Sequence, residues 1–409
     1  MQLIHEMYTD YERLLHANPQ RGYDFFYSTL LNPSLREPML TSEASLQAIF
    51  CGCNEKGHAI FPNAYNINDL LVDEGYMDQA LGNYLTFLGY SNPGNSWATF
   101  LKNNYTTIFA NKAACAAVLQ SRTAMQLFAT DATLWAAIVA NTAYFKRCMC
   151  SYYFCEKLAA TPAKIGDIRA NSSLLTAFNT NKDISTSTKT IVATQSEVFF
   201  CMFIGQGGTG GAGGYGYSQN CSSYYVDATA GVAGNMYGTA GKPRYGYDTS
   251  SYGKYKNAGG GGGRAGVIYR AVRVKKGARL TCGISTNPSL SGYDKLSNFT
   301  KAASNTQSQI LPDIVTGNDS TSGAATANGY DGYGYGSPAS GNNFLGTPTA
   351  ASGQNKGYRN EASAGTGGKG VGAGGGGGSG GPGSNTSTGS NRATGGAGAP
   401  GCIGLYRGA

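Results

Sequence analysis

Ten cysteines and three histidines carry the most obvious chemistry in this 409-residue chain. Two trios share a spacing: Cys51-x-Cys53-x4-His58 and Cys148-x-Cys150-x4-Cys155. Soft ligands in such a pattern suit zinc or an iron site. The spacing is not that of a standard zinc finger, so free buried thiols and disulfides stand beside metal as readings; Cys-x-Cys pairs more often bridge elsewhere than to each other. His5 opens His5-Glu6-Met7-Tyr8-Thr9-Asp10, which lacks the second histidine a zincin helix needs. The C-terminal half has seven scattered acids, Asp227, Asp248, Asp294, Asp313, Asp319, Asp331 and Glu361, and no spacing marks two of them as a hydrolytic pair. No Gly-Lys-Ser/Thr follows a glycine run, so a phosphate loop is not indicated. No catalytic constellation stands out. The chain reads as a binding protein, not an enzyme, and implies no cofactor.

Recognition is the second chemistry its residue types allow. Between residues 215 and 257 tyrosines interleave with cations, and the densest part holds Lys242, Arg244, Tyr245, Tyr247, Tyr252, Lys254, Tyr255 and Lys256. A second set, Tyr330, Tyr333 and Tyr335, lies in Asn-Gly-Tyr-Asp-Gly-Tyr-Gly-Tyr. A tyrosine offers a large face at low entropic cost and a hydroxyl that reaches water or ligand. Sugars stack on such rings, and Lys or Arg beside them suits phosphate or uronate groups. Tyrosine is commonly half-buried, so about half of these rings are expected to be packing. These eleven residues are the candidate receptor contacts.

The elements that must position them divide into two unlike halves. Residues 1–200 hold 8 of the 61 glycines and a net charge of −2; residues 201–409 hold 53 glycines and a net charge of +10. A basic half points to an acidic partner. No run of 18 apolar residues exists, so no membrane span is expected. The first residues, Met-Gln-Leu-Ile-His-Glu, lack the basic and apolar regions of a signal peptide.

Leu3, Ile4, Met7, Tyr8, Tyr11, Leu14 and Leu15 recur at helical spacing, and a second helix is expected from Asn68–Asp69 to Leu88, stopped by Gly89-Tyr-Ser-Asn-Pro-Gly. Residues 95–147 carry a repeat of nine or ten residues whose units open at Asn95, Asn103, Asn111, Ser121, Thr130 and Asn141. Each opens with a residue able to cap a helix and closes on an apolar pair or triad. That predicts a string of two-turn helices too short to stand alone, which must stack. One or two longer helices with polar interruptions is the alternative.

After a polar linker at 179–189, Glu197-Val-Phe-Phe-Cys-Met-Phe-Ile reads as a buried strand running into Gly-Gly-x triplets. Residues 265–274 and 278–284 read as a strand pair joined by Lys275-Lys-Gly277, and 401–408 as a short closing strand. Triplet glycine suits an extended left-handed helix with three residues per turn. Such helices can bond one another side by side if two of three positions lack a side chain, burying backbone instead of side chains. Residues 207–214 and 365–374 fit that requirement. The fold expected is α+β and multidomain: a helical N-terminal region (1–94), short helical repeats and linker (95–185), and a glycine-rich domain of strands and polyglycine-type extended helices (186–409).

Tandem units such as Ser121-Arg-Thr-Ala-Met-Gln-Leu-Phe resemble repeats of bacteriophage tail-fibre and minor tail proteins. The order strand, glycine-rich loop, Tyr/Asn/Ser-rich insertions, strand turn, long glycine core and closing strand resembles the glycine-rich receptor-binding domain of tail fibres and tip adhesins. The likeness covers residues 190–409 and the repeats before them. It departs where Gly283-Ile-Ser-Thr-Asn-Pro leads into a long polar insertion. The resemblance implies a virion tail protein, assembled in host cytoplasm, that is a homotrimer, joins other tail proteins through its N-terminal region and binds a host bacterial surface glycan. A structural tail component without receptor binding is one alternative. The other is a glycine/tyrosine-rich nucleic-acid-binding protein, though no RNA-binding signature is present.

Overall fold

The computed structural model describes residues 19–51, 64–180, 182–204, 267–284, 288–294, 306–309 and 401–408. The apolar segment at 3–15 and the glycine runs at 207–214, 259–263 and 365–383 lie outside the described residues. Within them, residues 19–180 form thirteen helices: α1 (Pro19–Leu31), α2 (Pro33–Thr41), α3 (Glu43–Cys51), α4 (Ala64–Asp73), α5 (Met77–Phe87), α6 (Trp97–Ala110), α7 (Lys112–Val118), α8 (Arg122–Thr130), α9 (Ala132–Ala140), α10 (Thr142–Cys148), α11 (Tyr152–Ala159), α12 (Pro162–Ala170) and α13 (Ser172–Thr180).

The last seven helices form a strict decad array: each follows a polar residue, and Asn111, Ser121, Asp131, Asn141, Ser151, Thr161 and Asn171 stand ten positions apart. Asn111 Oδ1 accepts from the Ala114 amide at 3.1 Å, and Ser121 Oγ from Ala124 at 3.1 Å. Asp131, Asn141 and Asn171 do the same for their helices. These caps satisfy amides that a short helix otherwise leaves open. The array is longer than the repeat read at 95–147. Its first two expected units are merged: Asn95 precedes α6 and Asn103 lies inside it, because Trp97, Phe100, Leu101, Ile108 and Phe109 make one buried face across both. The helix expected over 68–88 is two helices. Gly75 takes φ +78, and the Tyr76 amide closes onto Leu71 O at 2.8 Å, the same ending that Gly89 and Tyr90 give α5.

The decads stack on the third helix along: α6 with α9, α8 with α11, α10 with α13. Contacts repeat at a fixed separation of 32 residues. Ser151 Oγ donates to Leu119 O at 2.6 Å, and Trp135 Nε1 donates to Asp167 Oδ2 at 2.9 Å. The array therefore coils with about three helices per turn, which is how two-turn helices gain the neighbours they need.

Among the described residues eight strands follow: β1 (Lys182–Ser185), β2 (Lys189–Val192), β3 (Glu197–Ile204), β4 (Val267–Val274), β5 (Arg279–Gly283), β6 (Ser289–Asp294), β7 (Thr306–Gln309) and β8 (Cys402–Arg407). They make two antiparallel sheets, ordered β1-β8-β3-β4 and β2-β5-β6-β7. The expected linker at 179–189 thus contains β1, held by β8, and the start of β2. Strands β4 and β5 are consecutive but do not pair. At their turn the Gly277 amide donates to Ala193 O at 2.8 Å and Ala193 N donates to Ala278 O at 2.9 Å, so the chain passes from one sheet to the other. The expected closing strand is β8, which is central, between β1 and β3.

Strand β3 is buried on both faces. Val198, Phe200, Met202 and Ile204 join the helical core, while Phe199, Cys201 and Phe203 join a second core with Leu280, Cys282 and Leu290 of the other sheet. The order of layers is helices, first sheet, second sheet. Phe178 of α13 packs on Tyr406 (ring centroids 4.3 Å apart) and on Phe200 (5.7 Å). The helical core contains residues on both sides of positions 95 and 186.

Candidate functional site

The eleven candidate receptor contacts, residues 242–256 and 330–335, lie outside the described residues. The strands that carry their segments are described, and their register shows where those segments are rooted. Ile204 pairs with Val267 on one side and with Cys402 on the other. The 205–266 segment therefore leaves and re-enters the first sheet at one end, and the 310–401 segment returns at that same end. Strands whose ends lie side by side, anchored in two cores, make a stiff root for inserted chain.

The opposite end of this sheet is where its described charges gather. Arg407 pairs with Asp183 of β1, has Nε 3.8 Å from Glu197 Oε2, and lies over the Phe199 ring. Burial pushes the Glu197 carboxyl up, and Arg407 partly holds it down. One strand over, Arg273 of β4 faces the helices and forms a bidentate pair with Asp69 of α4; Nη1 lies 3.0 Å from Oδ1. Both side chains are buried, at 6% and 4% exposure. The Tyr153 hydroxyl of α11 donates to the same Oδ1 at 2.7 Å, and Arg273 lies 5.9 Å from the Tyr152 ring centroid. Asn68 bonds Gln120, which donates to Ala116 O at 2.9 Å.

A cleft of about 30 Å³ opens beside this cluster, lined by Asn68, Asp69, Gln120, Ser151, Tyr153 and Arg273 among others. That is room for a water or two, far below the roughly 300 Å³ at which small-molecule sites begin. Burial raises the phenols of Tyr152 and Tyr153, so they serve as hydrogen-bond donors and not as bases.

Cys148, Cys150, Cys155 and Cys115 are all buried; Cys150 Sγ donates to Lys146 O at 3.5 Å, and Cys115 Sγ accepts from Arg147 Nη1 at 3.8 Å. Burial pushes the thiols of Cys148 and Cys155 well up, which disfavours the thiolate a metal or an electrophile requires. Among the described residues no group of three His, Cys, Asp or Glu side chains could hold a metal ion. Cys51 is exposed, and its expected companions Cys53 and His58 lie outside the described residues. Of the seven C-terminal acids, Asp294 ends β6 and the other six also lie outside.

Asp69, Arg273 and Tyr153 were not singled out by sequence reasoning. They are 204 and 84 residues apart, and no local pattern links them. Among the described residues no single helix is long and apolar enough to cross a membrane; α8 and α9 pass that test only as a pair bent by 81°. Met125, Phe128, Leu134 and Ile138 of that pair are fully buried in the helical core. No protein-family model matches the chain, and no curated protein matches it.

Proposed function

We propose that the chain is a bacteriophage tail-fibre or tail-tip adhesin that acts by binding, without catalysis. Its ligand is an anionic polymer of the host bacterial surface. The observation that carries this reading is the shared root of the two candidate segments. The Lys242–Lys256 stretch sits between Ile204 and Val267, the Tyr330–Tyr335 stretch sits in the chain that returns at Cys402, and those three strand ends are neighbours in one sheet. A stiff root lowers the ordering cost that flexible binding segments otherwise pay. The net charge of +10 over residues 201–409 favours a polyanion. In this reading the glycine runs form packed extended helices that hold the Tyr- and Lys/Arg-bearing stretches. The protein is a homotrimer on the tail, joined to other tail proteins through its N-terminal region.

The test is adsorption. Replacing Arg244, Tyr245 and Tyr247 with Ala abolishes binding of the purified chain to host cells and leaves the melting temperature nearly unchanged. If binding survives this change and also Ala at Tyr330, Tyr333 and Tyr335, the receptor site is elsewhere. Breakdown of host polysaccharide by the purified chain would overturn the binding-only reading.

A further inference from the structure

Most contacts between the helices and the first sheet are apolar, as at Phe178, Phe200, Tyr269 and Tyr406. Apolar contact is non-directional and tolerates sliding of one layer on the other. The Arg273–Asp69 pair is different. A bidentate guanidinium–carboxylate pair has one good geometry, and both partners lose most of their water to reach it. Other ion pairs among the described residues stay within a layer: Lys102 with Asp131 and Arg122 with Asp73 in the helices, Arg407 with Asp183 and Glu197 in the sheet. Arg273 also lies on β4, the strand by which the 205–266 segment re-enters the fold. The cleft beside the pair has room for a water or two among side chains that are otherwise buried, so packing at this corner of the interface is incomplete.

We infer that Asp69–Arg273, with the Tyr153 hydroxyl, is a latch that sets the one orientation of the helical layer on the sheet and is the point at which α4 separates from β4 when the interface loosens. Its role in holding the receptor-binding segments rests on the adhesin reading; the latch itself does not. Asp69→Asn keeps the shape of the side chain but removes its charge and replaces one acceptor oxygen with a donor amide, so the Arg273 guanidinium loses its bidentate carboxylate. Asp69→Leu with Arg273→Met removes both charges and keeps apolar bulk.

The experiment is hydrogen exchange on the full chain, read in peptides from α4 (residues 64–73) and β8 (402–407), with thermal unfolding alongside. In Asp69→Asn the α4 amides exchange at least tenfold faster while β8 is unchanged, and the melting temperature falls. The double variant recovers the melting temperature and keeps the fast α4 exchange, because stability returns without the directional contact. Tyr153→Phe gives the same pattern with a smaller change and serves if Asp69→Asn does not fold. Equal acceleration in α4 and β8, or full recovery of α4 protection in the double variant, overturns the latch. Failure of the wild-type chain to adsorb to cells bears on the adhesin reading alone.

Discussion

The decad helices and strand β3 bury the same kinds of side chain but are positioned by contacts of very different range. Five of the seven decad helices are started by a side chain two or three residues before the amide it satisfies, as Asn141 is for Ala143 and Tyr144; the Ser151 and Thr161 hydroxyls donate instead to Leu119 O and Lys157 O. Strand β3 is held by β4 and β8, with Ile204 opposite Val267 and Cys402, so its partners lie about sixty and two hundred residues away. The helices divide their burial among many short units, whereas β3 concentrates it, sealing one core with Phe200 and another with Phe199 and Phe203. Local devices thus start the helical elements, and long-range burial decides where they come to rest.

The largest test of this contrast is Phe200→Ala. The ring is fully buried against Phe178 and Tyr269, so its loss costs about 3–5 kcal/mol. Because the ring belongs to the helical core, helical circular dichroism and the hydrogen-exchange protection of β3 (residues 197–204) should be lost together in urea. If the helices persist after the sheet has melted, the two regions do not share one core energetically.

Next in size are the caps. Asn111→Ala and Asn141→Ala each lower stability by about 1 kcal/mol, measured as a shift of the urea midpoint. Equal effects would support the array as a series of like units, since both side chains make the same kind of bond. A loss several times larger at one of them would break that equivalence.

The smallest effects are those of pH, and they run in opposite directions in the two regions. A hydrogen bond from Lys102 holds the Asp131 carboxyl below its ordinary value. Its contribution is therefore present above about pH 4 and is lost as pH falls. Asp131→Asn keeps a capping oxygen and removes this dependence, at a cost of about 0.5 kcal/mol near neutral pH. Burial raises Glu197 despite Arg407, so its charged form works against the fold at neutral pH and protonation relieves it as pH falls. Glu197→Gln should leave stability at pH 7 equal or higher. A marked loss there would mean that the Arg407 contact outweighs the burial of the charge.

The sequence by itself determined what depends on neighbours a few residues away. Polar residues at nine- or ten-residue spacing marked the short helices opened by Asn111, Ser121 and Asn141, since a cap acts within one turn; the unit expected to open at Thr130 opens at Asp131, and the helices after Ser151, Thr161 and Asn171 lie past the repeat as read. The unbroken apolar run at 198–204 marked a strand buried on both faces, and Gly89 marked the end of α5. Elsewhere one local signal overrode another. The buried face shared across α6 overrode Asn103 as a helix start, and Gly75 split a segment that periodicity alone would have kept whole. Only the tertiary structure decided that β4 and β5 belong to different sheets, that residues 182–185 are a strand and not linker, and that Asp69 meets Arg273. Strand pairing and buried charge pairing carry no local signature. Each is chosen by which partner leaves the fewest open hydrogen bonds and the least exposed apolar surface once the whole chain has closed.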